Sequence, residues 1–177
     1  MSFCLILLAA GKSNRFNSNL AKPYHKIGGK TLIEISLNKC AFFNNIKKTI
    51  IVYNARDKKS LNRIKLKNIK FIKGGKTRQQ STFNALKYLI KQRNISKVLI
   101  HDAARPNFSL KLISTIIKHM KKNRAVIPKI NIQDAIKQRF ESSKFEYIIA
   151  KDRNNLFLTQ TPQAFNVKEI YNLHKNN

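Results

Sequence analysis

The sequence predicts an α/β fold built on a largely parallel β-sheet, and three observations support this prediction. Apolar runs rich in β-branched residues alternate with segments of helical periodicity along most of the 177 residues. The first run, Phe3–Leu8, is continuously apolar, which is typical of a strand covered on both faces. Polar loops follow the strands at Gly11–Pro23, Gly74–Ser81 and His101–Pro106. Because right-handed crossovers place helices on both sides of such a sheet, we expect a doubly wound single domain.

The helices are predicted from their caps and their periodicity. Thr31, with Glu34 three residues later, has the pattern of a capping box and predicts a helix over Thr31–Phe42. The apolar residues from Ile113 to Met120 follow the i, i+3, i+4, i+7 spacing of an amphipathic helix whose apolar face joins the core. Two more helices are predicted over Ser81–Gln92 and Val167–His174.

The remaining extended segments are predicted from β-branched and aromatic residues. The segment Ile130–Tyr147 is more polar and weakly periodic, so we expect a hairpin or arm at about residues 130–150 that leaves the main sheet. The predicted strands after the first are Lys48–Tyr53, Ile69–Ile72, Val98–Ile100, Ala125–Pro128, Tyr147–Ala150 and Thr159–Phe165.

The chain is strongly basic, with 36 Lys and Arg residues against 8 Asp and Glu, a net charge of +28. Nucleic acid, an anionic membrane surface and a polyphosphate substrate are the partners that such a charge favours. The basic residues are scattered, however, and the sequence shows neither the basic helix nor the groove with interleaved aromatic residues that is more typical of a nucleic-acid-binding module. Abundant Asn and Ile indicate instead a compositional bias that places lysine at surface positions. We therefore expect no specific nucleic-acid partner, and a nucleic-acid-binding module remains the alternative from a different class.

Cysteine content and hydropathy indicate the compartment. Cys4 and Cys40 cannot form a disulfide framework, which favours a reducing environment. No apolar run approaches the roughly 18 residues of a membrane span. The apolar stretch Phe3–Ala10 follows only Met1-Ser2 and lacks the basic flank of a secretory signal. We expect a cytoplasmic protein without a membrane partner.

The loop after the first strand has the chemistry of a weak phosphate site. Gly11 ends the strand and allows backbone N–H groups to approach an anion, and Arg15 and Lys22 are among the cations that follow. The loop matches neither the Walker A pattern nor G-x-G-x-x-G, since Ser13 stands where a second glycine would be. Taken alone, it is compatible with phosphate binding and with an ordinary basic loop.

A sharper signal is the run from His101 to Pro106. Asp102 follows a buried strand directly, so its carboxylate is expected at the sheet edge, where it suits Mg²⁺ bound together with substrate oxygens. The alternative is that Asp102 pairs with Arg105 or caps a helix. His101 is more often a packed histidine at a strand end than a catalytic base. Zinc is not expected, because the cysteines and histidines lack ligand spacing.

Taken together, the motifs resemble those of the 2-C-methyl-D-erythritol 4-phosphate cytidylyltransferase family, enzymes of the non-mevalonate isoprenoid pathway. The resemblance covers nearly the whole chain, and its most specific part is the combination of His-Asp-Ala-Ala-Arg-Pro with Gly-Gly-x-x-Arg-x-x-Ser. The matching stretches are Leu8–Gly11 through Arg15, Lys22 with Tyr24, Gly74–Ser81, His101–Pro106, Asp134 with Lys137, Asp152-Arg153 and Thr161–Gln163.

The resemblance implies a Rossmann-like nucleotidyltransferase fold with a protruding arm, and a reaction in which the 4-phosphate of the sugar alcohol attacks the α-phosphorus of CTP. It implies that Arg15 and Lys22 stabilise the transition state, and that Asp102 binds Mg²⁺. It also implies a homodimer in which Arg153 on the arm reaches the sugar-alcohol phosphate in the neighbouring subunit. The nucleotide-binding residues that it implies are Ala9, Ala10, Gly11, Gly75, Arg78, Ser81, Asp102 and Arg105.

Several positions depart from the family pattern. Ser13 replaces a glycine, Lys76 stands where relatives carry an acidic residue, and Ala135 replaces a threonine. The segment in which relatives carry a metal-binding aspartate and a phosphate-binding lysine would follow Asn177, so we expect that the C-terminal part of the domain is missing. A truncated reading frame, a fragment, a weakened or inactive remnant and a downstream fusion all remain open. Alternative activities are ribitol-5-phosphate cytidylyltransferase and another sugar-phosphate nucleotidyltransferase.

Overall fold

The computed structural model describes residues 1–11, 20–64, 67–141 and 146–176. Within these ranges, every helix is too short or too polar to cross a lipid bilayer. The strands are β1 (Phe3–Ala9), β2 (Lys26–Ile27), β3 (Lys30–Thr31), β4 (Ile46–Tyr53), β5 (Ile69–Lys73), β6 (Lys97–Asp102), β7 (Ala125–Val126), β8 (Lys129–Asn131), β9 (Ile136–Glu141), β10 (Glu146–Lys151), β11 (Phe157–Thr159) and β12 (Gln163–Asn166).

The α-helices lie close to their predicted positions. The capping box of the first helix is confirmed: the Thr31 hydroxyl accepts a hydrogen bond from the Glu34 amide at 3.3 Å, and the Glu34 carboxylate accepts one from the Thr31 amide at 2.7 Å. The helices are α1 (Leu32–Ala41), α2 (Arg78–Leu89), α3 (Leu110–His119) and α4 (Val167–Lys175), with 3₁₀ segments at Lys22–Tyr24, Ala55–Arg63 and Arg153–Asn155.

The central sheet is mostly parallel, as predicted. Its strand order is β5-β4-β1-β6-β12-β7. The four strands from β5 to β6 pair in parallel, whereas β12 is antiparallel to both of its neighbours. After β1 the chain first extends the sheet to one side through β4 and β5, and then returns to place β6 on the other side of β1. The order therefore reverses between β1 and β6, and ligands bind near such a point in doubly wound sheets.

Alternate residues of β1 enter two separate hydrophobic cores, which is why this strand is continuously apolar. Phe3, Leu5 and Leu7 pack on the side of α1 and α3, and Cys4 and Ile6 pack on the side of α2 and α4. Helices thus cover both faces of the sheet, which confirms the doubly wound architecture. The predicted amphipathic helix is α3, and its apolar residues between Ile113 and Met120 are buried in the first of these cores.

The segment predicted as an arm leaves the central sheet. Strands β9 and β10 form an antiparallel hairpin, and β8 pairs with β11 beside it. We call strands β8 to β11 the arm. All six residues of β10 are exposed, including three apolar ones in succession, Tyr147, Ile148 and Ile149.

Several features differ from the sequence expectation, and the short strands β2 and β3 are among the segments that were not predicted. The predicted strand Thr159–Phe165 is two strands, since β11 ends at Thr159 in the arm and β12 begins at Gln163 in the central sheet. Local periodicity cannot show this division, because it does not tell which sheet an extended segment joins. The 3₁₀ segment Ala55–Arg63 was not predicted, because its mostly polar sequence buries only Asp57 and Leu61.

Candidate active site

A cleft of about 420 Å³ opens at the carboxyl ends of the parallel strands, beside the reversal in strand order. Ala10 and Gly11 line it after β1, Asn54 lines it after β4, and Asp102 lines it at the end of β6. The loop before α2 and the short 3₁₀ segment at Lys22 complete its walls. The topology thus brings together polar residues from distant parts of the chain, as expected for a doubly wound sheet.

The loop after β5 lies directly against the end of β1. The Gly74 amide donates a hydrogen bond to the Tyr53 carbonyl at 2.9 Å. A Cβ atom on Gly74 would lie 2.4 Å from the Cβ of Ala10 and 3.0 Å from the hydroxyl oxygen of Ser81, so only glycine permits this approach. The Gly75 amide donates to the Ser81 hydroxyl at 3.0 Å. These contacts fix the backbone that borders the cleft.

Helix α2 begins at the cleft with a basic residue. The Thr77 hydroxyl caps the helix by accepting from the Gln80 amide at 3.0 Å, so Arg78 is the first helical residue. The prediction that this helix starts at Ser81 was wrong by three residues, because the cap is a threonine ahead of the apolar periodicity. The N-terminal end of a 12-residue helix favours an anion, and here it borders the cleft.

Asp102 joins two arginines at the floor of the cleft. Its Oδ1 accepts a hydrogen bond from Nε of Arg78 at 3.1 Å, and its Oδ2 lies 3.4 Å from Nε of Arg105. The carboxylate is 27% exposed, whereas the arginines are 53% and 55% exposed. The pairing with Arg105 that the sequence left open therefore occurs, together with a second pairing from α2. The three charges carry a net charge of +1, which leaves the cluster suited to an anion.

Further hydrogen bonds hold Asp102 and its arginine partner in place. Its amide donates to the Thr161 hydroxyl at 3.4 Å, and that hydroxyl lies 2.9 Å from Nδ1 of His101. Burial lowers the pKa of His101 to about 4, so the ring is neutral at physiological pH. Gln160 accepts from Arg105 at 3.0 Å and holds the second arginine in turn. His101 is therefore a packed histidine at the end of β6, as its position in the sequence indicated.

Lys22 reaches the cleft from a short, well-anchored segment. Pro23 supplies the fixed φ angle of this 3₁₀ turn, and the neighbouring Ala21 and Tyr24 are buried. The Tyr24 amide donates to the Ala21 carbonyl at 2.9 Å, which closes the turn. Arg15, the other cation predicted for catalysis in this loop, lies outside the described residues.

The structure brings most of the predicted site residues together and places two elsewhere. Ala9 is buried in the core on the side of α1 and α3. Arg153 lies in the arm, is exposed, and donates to the Gln133 carbonyl. The predicted residues that line the cleft are Ala10, Gly11, Lys22, Gly75, Arg78, Ser81, Asp102 and Arg105.

Sequence reasoning missed two residues of the site. Asn54 follows β4 directly and donates to the Ala10 carbonyl at 3.4 Å, so the rule that selected Asp102 could also have found it. Gln160 has no comparable signal, because its contact with Arg105 spans 55 residues.

The comparison with known proteins agrees with this geometry. The family model described as IspD, 2-C-methyl-D-erythritol 4-phosphate cytidylyltransferase, matches residues 3–177. The chain belongs to this family. The match confirms the resemblance that the sequence motifs indicated, and it shows that the chain belongs to a family of nucleotidyltransferases.

Individual members of the cytidylyltransferase family support the same assignment. The bifunctional enzyme IspD/IspF of Pelagibacter ubique is 45% identical over 176 residues, which are 99% of this chain and 46% of that enzyme. The cytidylyltransferase of Thermosipho melanesiensis is 38% identical, over 94% of this chain and 74% of its own. The crystal structure of 4-diphosphocytidyl-2C-methyl-D-erythritol synthase from Anaerococcus prevotii superimposes with a TM-score of 0.79 at 32% identity, over 99% of this chain and 74% of that one. The chain thus spans about half of the bifunctional relative and about three quarters of the others.

The donor set of the cleft fits a magnesium ion that arrives with a phosphate ligand. Asp102 is the one carboxylate among the described residues that line the cleft, and the described part of the chain holds no group of three His, Cys, Asp or Glu residues that could hold a metal by itself. Mg²⁺ is commonly bound through one or two carboxylates, with substrate phosphates and water as its other ligands. A single aspartate matches that mode of binding once a triphosphate supplies the other ligands and neutralises the neighbouring cations.

Proposed function

We propose that this chain transfers a cytidylyl group from CTP to 2-C-methyl-D-erythritol 4-phosphate, giving 4-diphosphocytidyl-2-C-methyl-D-erythritol and pyrophosphate. The observation that carries the proposal is the convergence of Lys22, Arg78 and Arg105 with Asp102 in one cleft at the carboxyl ends of β1 and β6. A 4-phosphate oxygen attacks the α-phosphorus of CTP, the bond from that phosphorus to the β-phosphate oxygen breaks, and pyrophosphate leaves.

The transfer reaction depends on the positions and charges of the side chains around the substrates more than on covalent catalysis. Transfer at phosphorus requires the attacking and leaving oxygens to lie roughly in line, with fixed cations where negative charge develops. Lys22 on one wall and the two arginines on the floor supply such cations. Both arginines are held in place by Asp102, and Arg105 is also held by Gln160, so little reorganisation is required when the triphosphate binds. The role of Arg15 stays a prediction of the sequence.

Asp102 is also the residue that would hold Mg²⁺ in this reaction. When bound with the triphosphate, the metal would neutralise phosphate charge and polarise the phosphorus centre. The hydrogen bond from the Asp102 amide to the Thr161 hydroxyl fixes the backbone that carries this carboxylate.

The nucleoside end of CTP is assigned to the other wall of the cleft. There Gly75 and Ser81 form a rigid backbone border, and Ala10 allows close approach because its side chain is a single methyl group. A frame built from backbone groups discriminates by shape, so we expect a pyrimidine to fit better than a purine.

We also propose that the protein works as a homodimer through the arm. Apolar residues on β10 and β11 are exposed, with Ile148 at 57% and Phe157 at 53%, and a second copy of the chain would cover them. Arg153 lies in the same arm and would reach the sugar-alcohol phosphate bound to the partner subunit. A cytoplasmic location fits the two free cysteines, Cys4 and Cys40.

The decisive experiment measures pyrophosphate release from CTP and Mg²⁺ with 2-C-methyl-D-erythritol 4-phosphate, and in parallel with ribitol 5-phosphate. We expect turnover with the first acceptor only, and a loss of about 100-fold or more in kcat/KM for Lys22→Met. Lys30→Met, an exposed lysine on β3, is the matched control and should retain wild-type rates. Absence of turnover with every sugar phosphate would refute the assignment, and turnover with ribitol 5-phosphate would reassign the acceptor.

A mixing experiment tests the shared site. Lys22→Met and Arg153→Ala variants are unfolded together, refolded and assayed at a sugar-phosphate concentration well below KM. There the raised KM expected for Arg153→Ala makes that variant, like Lys22→Met, nearly inactive alone. In a two-fold dimer each mixed pair contains one intact site, so about a quarter of wild-type activity should return. No recovery, with dimers present by light scattering, would place Arg153 outside the neighbouring site.

A further inference from the structure

Lys39 lies on α1 and makes an unusual set of contacts. Its ammonium group donates to the carbonyls of Pro106 at 2.8 Å and Phe108 at 2.9 Å, although these residues are more than 65 positions away in the chain. The same nitrogen lies 5.1 Å from the centre of the Phe108 ring. One partly buried lysine on α1 thus holds both carbonyls and the ring of a single short segment.

The segment it holds follows the cleft residues directly. Residues 105–109 connect β6 to α3 and have no regular secondary structure. Without a helix or strand ladder, their position depends on side-chain contacts and on a few backbone bonds, such as the one from the Arg105 amide to the Asp102 carbonyl at 3.0 Å. Lys39 therefore supplies two of the bonds that fix the chain just after Arg105.

The contact continues to the floor of the cleft. The Phe108 ring meets the His101 ring edge-on, with 4.7 Å between their centres. His101 in turn lies against the Thr161 hydroxyl, which accepts the hydrogen bond from the Asp102 amide. A continuous path of packed groups thus runs from α1 to the carboxylate and the guanidinium that face the substrate.

We propose that Lys39 is a positioning residue for the transfer reaction: by holding the carbonyls of Pro106 and Phe108, it fixes the neighbouring Arg105 through the chain and Asp102 through the edge-to-face contact of Phe108 with His101. This inference rests on the proposed function. Within the described part of the chain, the Lys39 ammonium group bonds to Pro106 and Phe108, which do not line the cleft, so it acts through the segment that it holds. A displacement of about 1 Å at reacting groups can lower the rate about 100-fold. We therefore expect the loss of Lys39 to lower kcat by more than the change in unfolding free energy would account for.

The test compares Lys39→Met with Lys39→Arg and with Lys118→Met, an exposed lysine near the end of α3 that serves as the matched control. We expect kcat with CTP and the sugar phosphate to fall about 10- to 100-fold in Lys39→Met, with KM for CTP changed less than about threefold. Lys39→Arg keeps a cation and several donors, and should recover most of the rate. Lys118→Met should match the wild type.

Hydrogen exchange separates positioning from general stability. In Lys39→Met the amides of residues 103–108 should exchange faster, while the amides of β1 and α2 keep their wild-type rates. Uniformly faster exchange, or unchanged kcat with faster local exchange, would overturn the positioning role. If Lys39→Met does not fold, Phe108→Leu breaks the same path at the ring, and its kcat should fall with KM retained. A wild-type chain that neither binds CTP nor releases pyrophosphate would refute the proposed function, and the exchange data would then decide separately whether Lys39 fixes the segment.

Discussion

The close approach of the glycine loop to the end of β1 makes Gly74→Ala the sharpest test of the cleft geometry. The added Cβ would lie 2.4 Å from the Ala10 Cβ, 3.0 Å from the Ser81 hydroxyl oxygen and 3.4 Å from the Tyr53 carbonyl oxygen. The Ala10 methyl group has no torsion angle that could move it away, so the loop or the strand end must shift. Overpacking of this kind costs about 1–3 kcal/mol. For a chain of this length, that cost lowers Tm by about 2–12 °C.

The assay is urea denaturation of wild type, Gly74→Ala and Gly11→Ala, followed by CTP titration of the first two. Gly11 also borders the cleft, but a Cβ there would meet no atom of the described residues within 4 Å, so the unfolding free energy of Gly11→Ala should stay within about 0.5 kcal/mol of wild type. Gly74→Ala should be destabilised by the amount given above and should bind CTP more weakly, because the loop that borders the nucleoside must move. Equal unfolding free energies for all three proteins would refute the reasoning.

Three further predictions follow from the described contacts. Because burial lowers the pKa of His101 from 6.5 to about 4, the unfolded state takes up a proton first, and the unfolding free energy should fall by roughly 3 kcal/mol as pH drops from about 6.5 to 4. This dependence should flatten in His101→Gln, as measured by urea titrations across that range. Asp102→Asn should lower kcat about 100-fold. Its metal-free binding of triphosphate should be retained or tightened, because a negative charge leaves the cation cluster, and isothermal calorimetry would measure this binding. Thr31→Ala should destabilise the protein by about 0.5–2 kcal/mol through loss of the capping box, and an unchanged Tm would contradict this.

The sequence predicted the scaffold well because its signals are local. The continuous apolar run of β1, the capping box at Thr31 and the spacing from Ile113 to Met120 each depend on neighbours within one or two turns, and each appears in the structure as expected. The boundary of α2 was less certain, since the cap at Thr77 lies ahead of the apolar pattern that located the helix.

The sequence predicted most residues of the site but not the contacts between them. Position after a strand pointed to Asp102, and family motifs pointed to Arg78 and Arg105. No local pattern indicated that both arginines would share that carboxylate, or that Gln160 and Lys39 would hold the surrounding chain. Arg105 is local to Asp102, but the other partners lie from 24 to 69 residues apart in sequence, and only the folded sheet brings them within hydrogen-bond distance.

The amino-acid order alone determined all four α-helices and most of the strands, where their ends lie to within a few residues, and which loops carry charge, because hydrophobic periodicity and capping act between near neighbours. The tertiary structure decided the strand order, the reversal between β1 and β6, and hence which charged loops meet. The strand order depends on burying both faces of one sheet at once. This condition involves the whole chain, so no single segment carries a sequence pattern that predicts it.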